Sequence, residues 1–465
     1  MDGGSYSDKD CRNLLFATCL GAAITPLMGT MISLALPCIG KDFDASTHSL
    51  SMINTIFLIA SVMFMVPVAR FASIYGMKKT SIIGLIIVIT SAVLSALSPD
   101  LEFLLAMRFI LGAGSSVLMV TGIAMLSTVY PAQRRGWAIG IYTAVTFIGF
   151  TLGPSIGGTL SDLMGWRVLF LLMVPLSVLS LMFFRRFDKD ISPMHGKKMD
   201  MKGSFLWMDS ILVIMLGVAY VTEPWGIILI LLGSALLITT FHFLRNRENP
   251  VLNVKLFHIC IFRRSCIAAF MNYAAASSLT FFLALYLQSI GQMTASEAGL
   301  IMMLQPFIQA IFTVWAGSLS DKIEDGRILP TAGMGMICIG SLMMVFIGSE
   351  ISLIYISSVL FMFGMGIALF AAPNTSIIIS SVSREYRGEA SGMVSVFRQT
   401  GMMISMGIAM ICISIFMGSS DNISPSTYGA FMDSIHTAFL VCFIICLTGA
   451  FVSWFRGETS KFCYI

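Results

Sequence analysis

Two arginines, Arg108 and Arg398, lie inside long apolar runs. A cation in such a run is costly. It marks either a functional group or a side chain that reaches an interface or bonds backbone carbonyls. For Arg398 a substrate anion and helix-end carbonyls are equally good partners. Asp209 is the acid that falls within a comparable run. Buried in hydrocarbon its carboxyl would titrate high, which suits proton exchange; at the inner interface it would simply be solvated. A third feature is the string Gly149-Phe150-Thr151-Leu152-Gly153-Pro154-Ser155-Ile156-Gly157-Gly158. Its glycines admit another helix at backbone distance, and Pro154 removes a donor and bends its own helix. Other chemistry lacks its residues. Ten cysteines form no CxxC pair, the histidines do not cluster, and no Walker-type phosphate loop occurs. No metal, cofactor or ATP-driven step is expected. No basic patch with interleaved aromatics suggests nucleic acid, and an enzyme would want His, Asp or Cys clusters at helix ends.

The elements that must hold these residues follow from composition. Only 11% of residues are charged and 57% are apolar, and mean hydropathy is +0.89. Soluble domains carry roughly 25% charged residues. A chain this apolar is accommodated by a lipid bilayer, whose tails are its solvent. Spans of roughly 20 apolar residues fall near 13–37, 49–69, 80–98, 102–129, 136–160, 167–184, 205–222, 225–244, 265–289, 298–319, 329–348, 350–378, 389–417 and 435–455. The first is too long for a signal-peptide core. The seventh and eighth are separated only by Glu223-Pro224-Trp225, where Pro224 suits a tight hairpin.

Charge placement tests the count, because Lys and Arg concentrate in cytoplasmic loops. With the N-terminus inside, 24 of the 28 basic residues fall on the inner side; Lys41 and Arg167 lie outside, and Arg108 and Arg398 lie within spans. Both termini are then cytoplasmic, in a multi-pass protein of the plasma membrane. Two inner segments are long and basic, Arg185 to Lys202 and Arg245 to Arg264. The apolar spacing of Val251, Val254, Leu256, Phe257 and Ile259 predicts a short helix lying on the leaflet surface. The layout is an N-terminal bundle of six spans over residues 1–187, a linker with two accessory spans over 188–264, and a second six-span bundle over 265–465. The outer-loop sequon Asn422-Ile423-Ser424 reads as chance.

The two bundles repeat. The second span ends Ala69-Arg70-Phe71-Ala72-Ser73-Ile74-Tyr75-Gly76-Met77-Lys78-Lys79, and the tenth ends Gly317-Ser318-Leu319-Ser320-Asp321-Lys322, followed by Gly326-Arg327. Each places a small residue, a bulky apolar one two on, then a polar position and a basic loop. Repeated halves are a common transporter plan.

On these features the chain resembles the major facilitator superfamily, in particular its fourteen-span branch of drug:proton antiporters. The resemblance covers nearly the whole length. Gly149 to Gly158 is similar to that branch's GxxxGPxxGG motif, which assigns a conformational role to Gly149, Gly153, Pro154, Gly157 and Gly158. Arg108-Phe109-Ile110-Leu111-Gly112-Ala113-Gly114 is similar to RxxqGxGaa, with Leu111 where Gln is usual; the resemblance ties Arg108 to proton transfer. Gly76, Lys78 and Lys79 match the first inner-loop motif, and Asp321, Lys322 and Arg327 its repeat, as a cytoplasmic gate. Ala372-Pro373-Asn374 and Arg398-Gln399-Thr400-Gly401 match weaker strings, and with Met28, Asn272 and Gln288 they supply candidates for the substrate cavity: Met28, Asn272, Gln288, Asn374, Arg398 and Gln399.

Departures are equally informative. The inner-loop motif carries an Asp where this chain has Ser73, and a leading Gly where it has Ala69, so the N-terminal half lacks the usual gate charge. The first span of many relatives holds an intramembrane Asp; here Met28 stands in that place. Proton coupling is therefore implied by the resemblance alone. The resulting expectation is an all-α major facilitator fold of fourteen spans. The expected activity is secondary export of hydrophobic or cationic small molecules by a monomer in the bilayer, with protons as the implied counter-ion. The alternative is a facilitator or symporter of a small metabolite. The 35 methionines suit an adaptable cavity or harmless lipid contact equally. A non-transporting sensor would append a soluble domain, and the segment after Phe455 is too short for one.

Overall fold

A computed structural model describes residues 6–45, 47–348, 350–418 and 425–457. The sequon Asn422-Ile423-Ser424 lies outside the described residues. Among those described there are only helices, turns and irregular segments, and fourteen helices are long and apolar enough to cross a membrane. They are α1 (Asp8–Ser33), α2 (Met52–Tyr75), α3 (Met77–Ala96), α4 (Leu101–Val129), α5 (Ala132–Met164), α6 (Arg167–Arg185), α7 (Met201–Ala219), α8 (Pro224–Arg245), α9 (Cys260–Ile290), α10 (Ser296–Ser320), α11 (Ile328–Val345), α12 (Leu353–Ser380), α13 (Arg384–Met417) and α14 (Tyr428–Trp454). Each overlaps one of the fourteen expected spans.

Helices α1–α6 pack into one bundle and α9–α14 into another, with the α7/α8 hairpin beside α2 and α13. Pro224 sits at the first turn of α8, where a missing N–H costs nothing. The bundles meet chiefly through α5 with α10 and α2 with α13. Apolar residues alone do not hold membrane helices together, because lipid is as apolar as leucine; close packing and polar contacts do. Accordingly Gly84, Gly112 and Gly122 lie against Val117, the Phe57 backbone and Tyr142 at distances that would crowd a Cβ. Helix α8 is the most lipid-exposed span, with Ile228, Leu231 and Ile238 each more than 60% exposed.

The surface helix expected at 251–259 does not form. The segment makes one 3-10 turn, Val254–His258, and buries Val251, Leu252 and Leu256 inside the protein. Pro250 interrupts a helix on one side, and the Asn253 side chain caps only the short turn by accepting from the Lys255 N–H at 3.1 Å.

Candidate functional site

The hydrogen bonds that join the bundles cluster at one end, the end where α2 finishes and α5 and α13 begin. Both junctions are built on the same local sequence. Helix α5 opens Arg135-Gly136-Trp137-Ala138 and α13 opens Arg387-Gly388-Glu389-Ala390. A helix start leaves backbone N–H groups unpaired and carries partial positive charge, so a carboxylate belongs there. Asp321, at the end of α10, accepts from the Gly136 N–H at 2.8 Å and the Trp137 N–H at 3.0 Å, just past the first turn of α5 and still near its positive end. A Cβ at Gly136 would meet the Ser320 hydroxyl at 2.5 Å and Asp321 at 2.6 Å, so only glycine allows this approach. Burial pushes the Asp321 carboxyl above the usual carboxylate range, against the pull of the two N–H groups and Arg135.

The equivalent position in the other half is Ser73, whose hydroxyl bonds back to Ala69 in its own helix while Gly388 packs on it. The missing charge is supplied elsewhere. Arg70 donates to Glu389 at 2.6 Å, both side chains almost fully buried. The second Glu389 oxygen accepts the Asn253 N–H at 2.9 Å, and Arg70 also contacts Met194. Sequence reading placed Arg70 among loop cations and gave Glu389 no role. The available signal was Arg-Gly-x-Ala recurring at the start of both helices, with Trp137 in one and Glu389 in the other. Two further bonds repeat across the pseudo-twofold relation: Arg135 donates to the Ser380 hydroxyl at 2.8 Å, and Arg387 to the Ser127 carbonyl at 2.7 Å.

The residues proposed for the gate divide. Gly76 takes φ +112° and starts α3, where Asp190 from the following linker accepts the Lys78 N–H at 2.9 Å. Lys79 and Lys322 are exposed. Arg327 grips Asp325 beside it through four bonds of 2.8–3.1 Å and lies over Trp454, within its own bundle. Of that set, Asp321 bonds across the bundles through its side chain.

Helix α5 carries two glycine faces. Near its start, Gly136 and Gly140 meet Gly317 and Thr313 of α10. Farther along, Gly149, Gly153 and Gly157 lie on α1: added Cβ atoms would meet Pro26 at 2.8 Å, Thr30 Cβ at 2.8 Å and the Met31 backbone at 2.7 Å. The glycine string thus seats α5 on α1 inside one bundle, while the other face of the same helix meets the opposite bundle.

Arg108 is fully buried between α4 and α2. Its Nε donates to the Ile53 carbonyl at 3.1 Å, its Nη2 to the Asn54 side chain at 3.0 Å, and its guanidinium lies 4.4 Å from the centre of the Phe57 ring. Asn54 in turn donates to the Ser33 hydroxyl at 2.9 Å, tying in α1. Nη1 of Arg108 is buried without a partner among the described residues. Asp209 does not join this group; it is exposed on α7.

Sequence comparison places these features in a family. A family model described as Major Facilitator Superfamily matches residues 18–259 and 265–461. The chain belongs to the major facilitator superfamily. Riboflavin transporter RibZ of Clostridioides difficile is 25% identical over 455 residues, covering 96% of this chain and 98% of that protein. Multidrug resistance protein Stp of Mycobacterium tuberculosis is 28% identical over 404 residues, covering 85% and 74%. Among solved structures, the human organic anion transporter MFSD10 matches with TM-score 0.67 at 12% identity over 96% of this chain and 99% of that chain. The proton:xylose symporter XylE matches with TM-score 0.66 at 14% identity over 98% and 97%. At such identities the likeness is one of fold. The protein is a multi-pass membrane transporter of this superfamily.

Within that superfamily fold the cavity candidates scatter. Arg398 is half-buried and reaches the Tyr273 hydroxyl of α9, with Tyr142 of α5 nearby. At 1.5 Å per residue all three lie about 15–21 Å along their helices, well inside the spans. Gln399 and Met28 are buried beside them in sequence and in the first bundle's core respectively. Asn272 is fully buried with both amide atoms unpartnered among the described residues. Gln288 is exposed in a π turn at the C-terminal end of α9. Asn374 is buried, and its amide donates to the Ser265 carbonyl at 3.1 Å and accepts from Arg456 at 2.9 Å, where α9, α12 and α14 meet. Burial lowers the pKa of that arginine to about 9. Among the described residues no group of His, Cys, Asp and Glu could hold a metal ion.

Proposed function

We propose that this transporter exports hydrophobic small molecules by alternating access, the 1–187 and 265–465 bundles rocking about α5 while 188–264 serves as linker and accessory hairpin. The observation that carries the reading is the clustering of inter-bundle bonds at one end, through Asp321 with α5 and Arg70 with Glu389. A bundle pair closed at one end by breakable polar latches can exchange that closure for the opposite one. By the distribution of basic loops the closed end is cytoplasmic, as are both termini, and the membrane is the plasma membrane. The transporter acts as a monomer.

The central charge favours neutral or anionic substrates over cations. Arg398 with Tyr273 and Tyr142 offers positive charge and hydroxyls, and no carboxylate is bonded to Arg108 or Arg398 among the described residues. The same observation supports a second reading, proton-independent movement of a small metabolite. The relatives' names, one for multidrug resistance and one for riboflavin, fit one reading each.

Flux into proteoliposomes tests this. Neutral, anionic and cationic fluorescent aromatics are compared with and without an imposed pH gradient. The proposal expects transport of the neutral and anionic dyes and loss in Arg398→Ala. A flux indifferent to the gradient removes antiport, and preference for the cationic dye overturns the charge assignment.

A further inference from the structure

A cavity of about 900 Å³ opens at the closed end, between the α8–α9 linker and the turn joining α12 to α13. It is lined by five cations, Arg70, Lys197, Arg245, Arg247 and Lys255, and by His258, against one acid, Glu248. Two of the cations are committed. Arg70 holds Glu389 and Lys197 holds Glu385. Arg247 lies 4.3 Å from the centre of the Phe243 ring, which leaves its charge uncompensated. Arg245, Arg247 and Lys255 are exposed and hold no carboxylate among the described residues. Neutral donors complete the wall: the Asn246 and Asn249 amides and the Ser381 and Ser383 hydroxyls. Three free cations converging with amides and hydroxyls on one crevice form an anion receptor suited to a phosphate group.

The outer wall adds a second observation. Along α8, Ile228, Leu231, Ala235 and Ile238 recur at helical spacing and are all exposed, and the same face continues through His242 to Arg245 at the crevice. A bare apolar stripe that ends on a cation matches a molecule with an apolar chain and an anionic head.

We infer that this crevice is a binding site for a phosphate-bearing anion, the natural source being the head group of an anionic glycerophospholipid whose chains lie along α8. The site touches the gate directly. Asn253, on its wall, donates its N–H to Glu389, and Arg70 lines it. A bound phosphate therefore stabilises the linker in the position that holds the closed latch.

The test uses the full-length purified protein in neutral detergent, with retention of added lipid read by native mass spectrometry and thermal unfolding followed in parallel. The probes are dioleoyl-phosphatidylglycerol, dioleoyl-phosphatidylcholine and inorganic phosphate. The triple variant Arg245→Gln/Arg247→Gln/Lys255→Gln is set beside Arg185→Gln/Arg186→Gln, which removes two cations from the same face outside the crevice. Phosphatidylglycerol should be retained at least fivefold more than phosphatidylcholine, and that preference should vanish in the triple variant alone. If inorganic phosphate raises the unfolding midpoint as much, with the same dependence on the three cations, the site stands and its source is a soluble anion. Equal retention of both lipids, or equal loss in both variants, overturns the proposal.

Discussion

Arg70 of α2 and Glu389 of α13 form an almost fully buried ion pair across the two bundles, at the position where the other half uses Asp321 to bond the α5 backbone. The latches are pseudo-symmetric in place and different in chemistry. One is a carboxylate on two backbone N–H groups near the start of α5; the other is a charge pair. Removing one member of a buried pair leaves an uncompensated charge at a cost of about 3–5 kcal/mol. That cost falls on the closed form, because opening returns the lone charge to water. Arg70→Gln should therefore shift the population toward the form open at this end by at least about 150-fold, read as labelling of a cysteine placed at Ser391. Glu389→Gln should do less, since its N–H contact survives, and the exchange Arg70→Glu/Glu389→Arg should recover part of the loss. Unchanged labelling in Arg70→Gln would remove the pair from the gate.

Asp321 makes the opposite latch responsive to pH. With its carboxyl packed on α5, Asp321 titrates above the usual carboxylate range because burial disfavours the ion. When the bundles separate, it returns to water and to an ordinary value. The closed form thus binds the proton more tightly, so acidification through the raised value favours closure, and rising pH weakens it. Labelling of a cysteine at Ser318 should fall as pH drops, and Asp321→Asn should flatten that profile. A profile of equal slope in the variant would assign the response to another group.

The α1–α5 contact predicts a ranking of glycine substitutions. A methyl at Gly157 meets Met31 main chain at 2.7 Å, which cannot move without shifting the helix. Gly157→Ala and Gly153→Val should each cut transport at least tenfold while the protein still inserts and purifies. Gly299→Ala, where nothing lies within 4 Å, should be silent. Transport assays on the three variants at matched expression decide it; full activity in Gly157→Ala would break the assignment.

For Arg108 the fork geometry matters as well as the charge. It serves the Ile53 carbonyl, the Asn54 amide and the Phe57 face at once. Lysine keeps the charge but offers no planar fork. Arg108→Lys should retain less than a tenth of the transport rate and Arg108→Met none, both with normal membrane insertion. Asn54→Ala should mimic the lysine variant. Wild-type flux in Arg108→Met would show that this arginine is only packing.

How far the sequence could be read depends on the length scale of the signal. Fourteen spans were legible because each is a run of about 20 residues with its cations sorted to one side, and no local detail can disguise that. Pro224 at a hairpin and the glycine string in α5 were legible because backbone chemistry acts within one helix. The Arg70–Glu389 latch was not: its members are 319 positions apart, and each alone looks like a helix-end charge. Ser73 correctly signalled that a charge was missing, without saying where its replacement lay. The bond from Asn374 to Arg456 was not legible either, because a polar residue in a span suits a cavity as well as a hydrogen-bonded cluster. Val251 to Ile259 misled because its apolar spacing fits a surface helix and a buried turn alike, and Pro250 favours the turn.

The N–H of Asn253 on Glu389 bears on how a fourteen-span transporter differs from a twelve-span one. An inserted hairpin would be free to drift, or to be deleted, if it merely occupied lipid beside the two bundles. Here the segment of chain that returns from it is threaded into the closed end, so the insertion is wired to the latch between the bundles. Splicing residue 187 directly to 265 would leave Glu389 one donor short, and the shortened protein would need a new contact there before it could cycle.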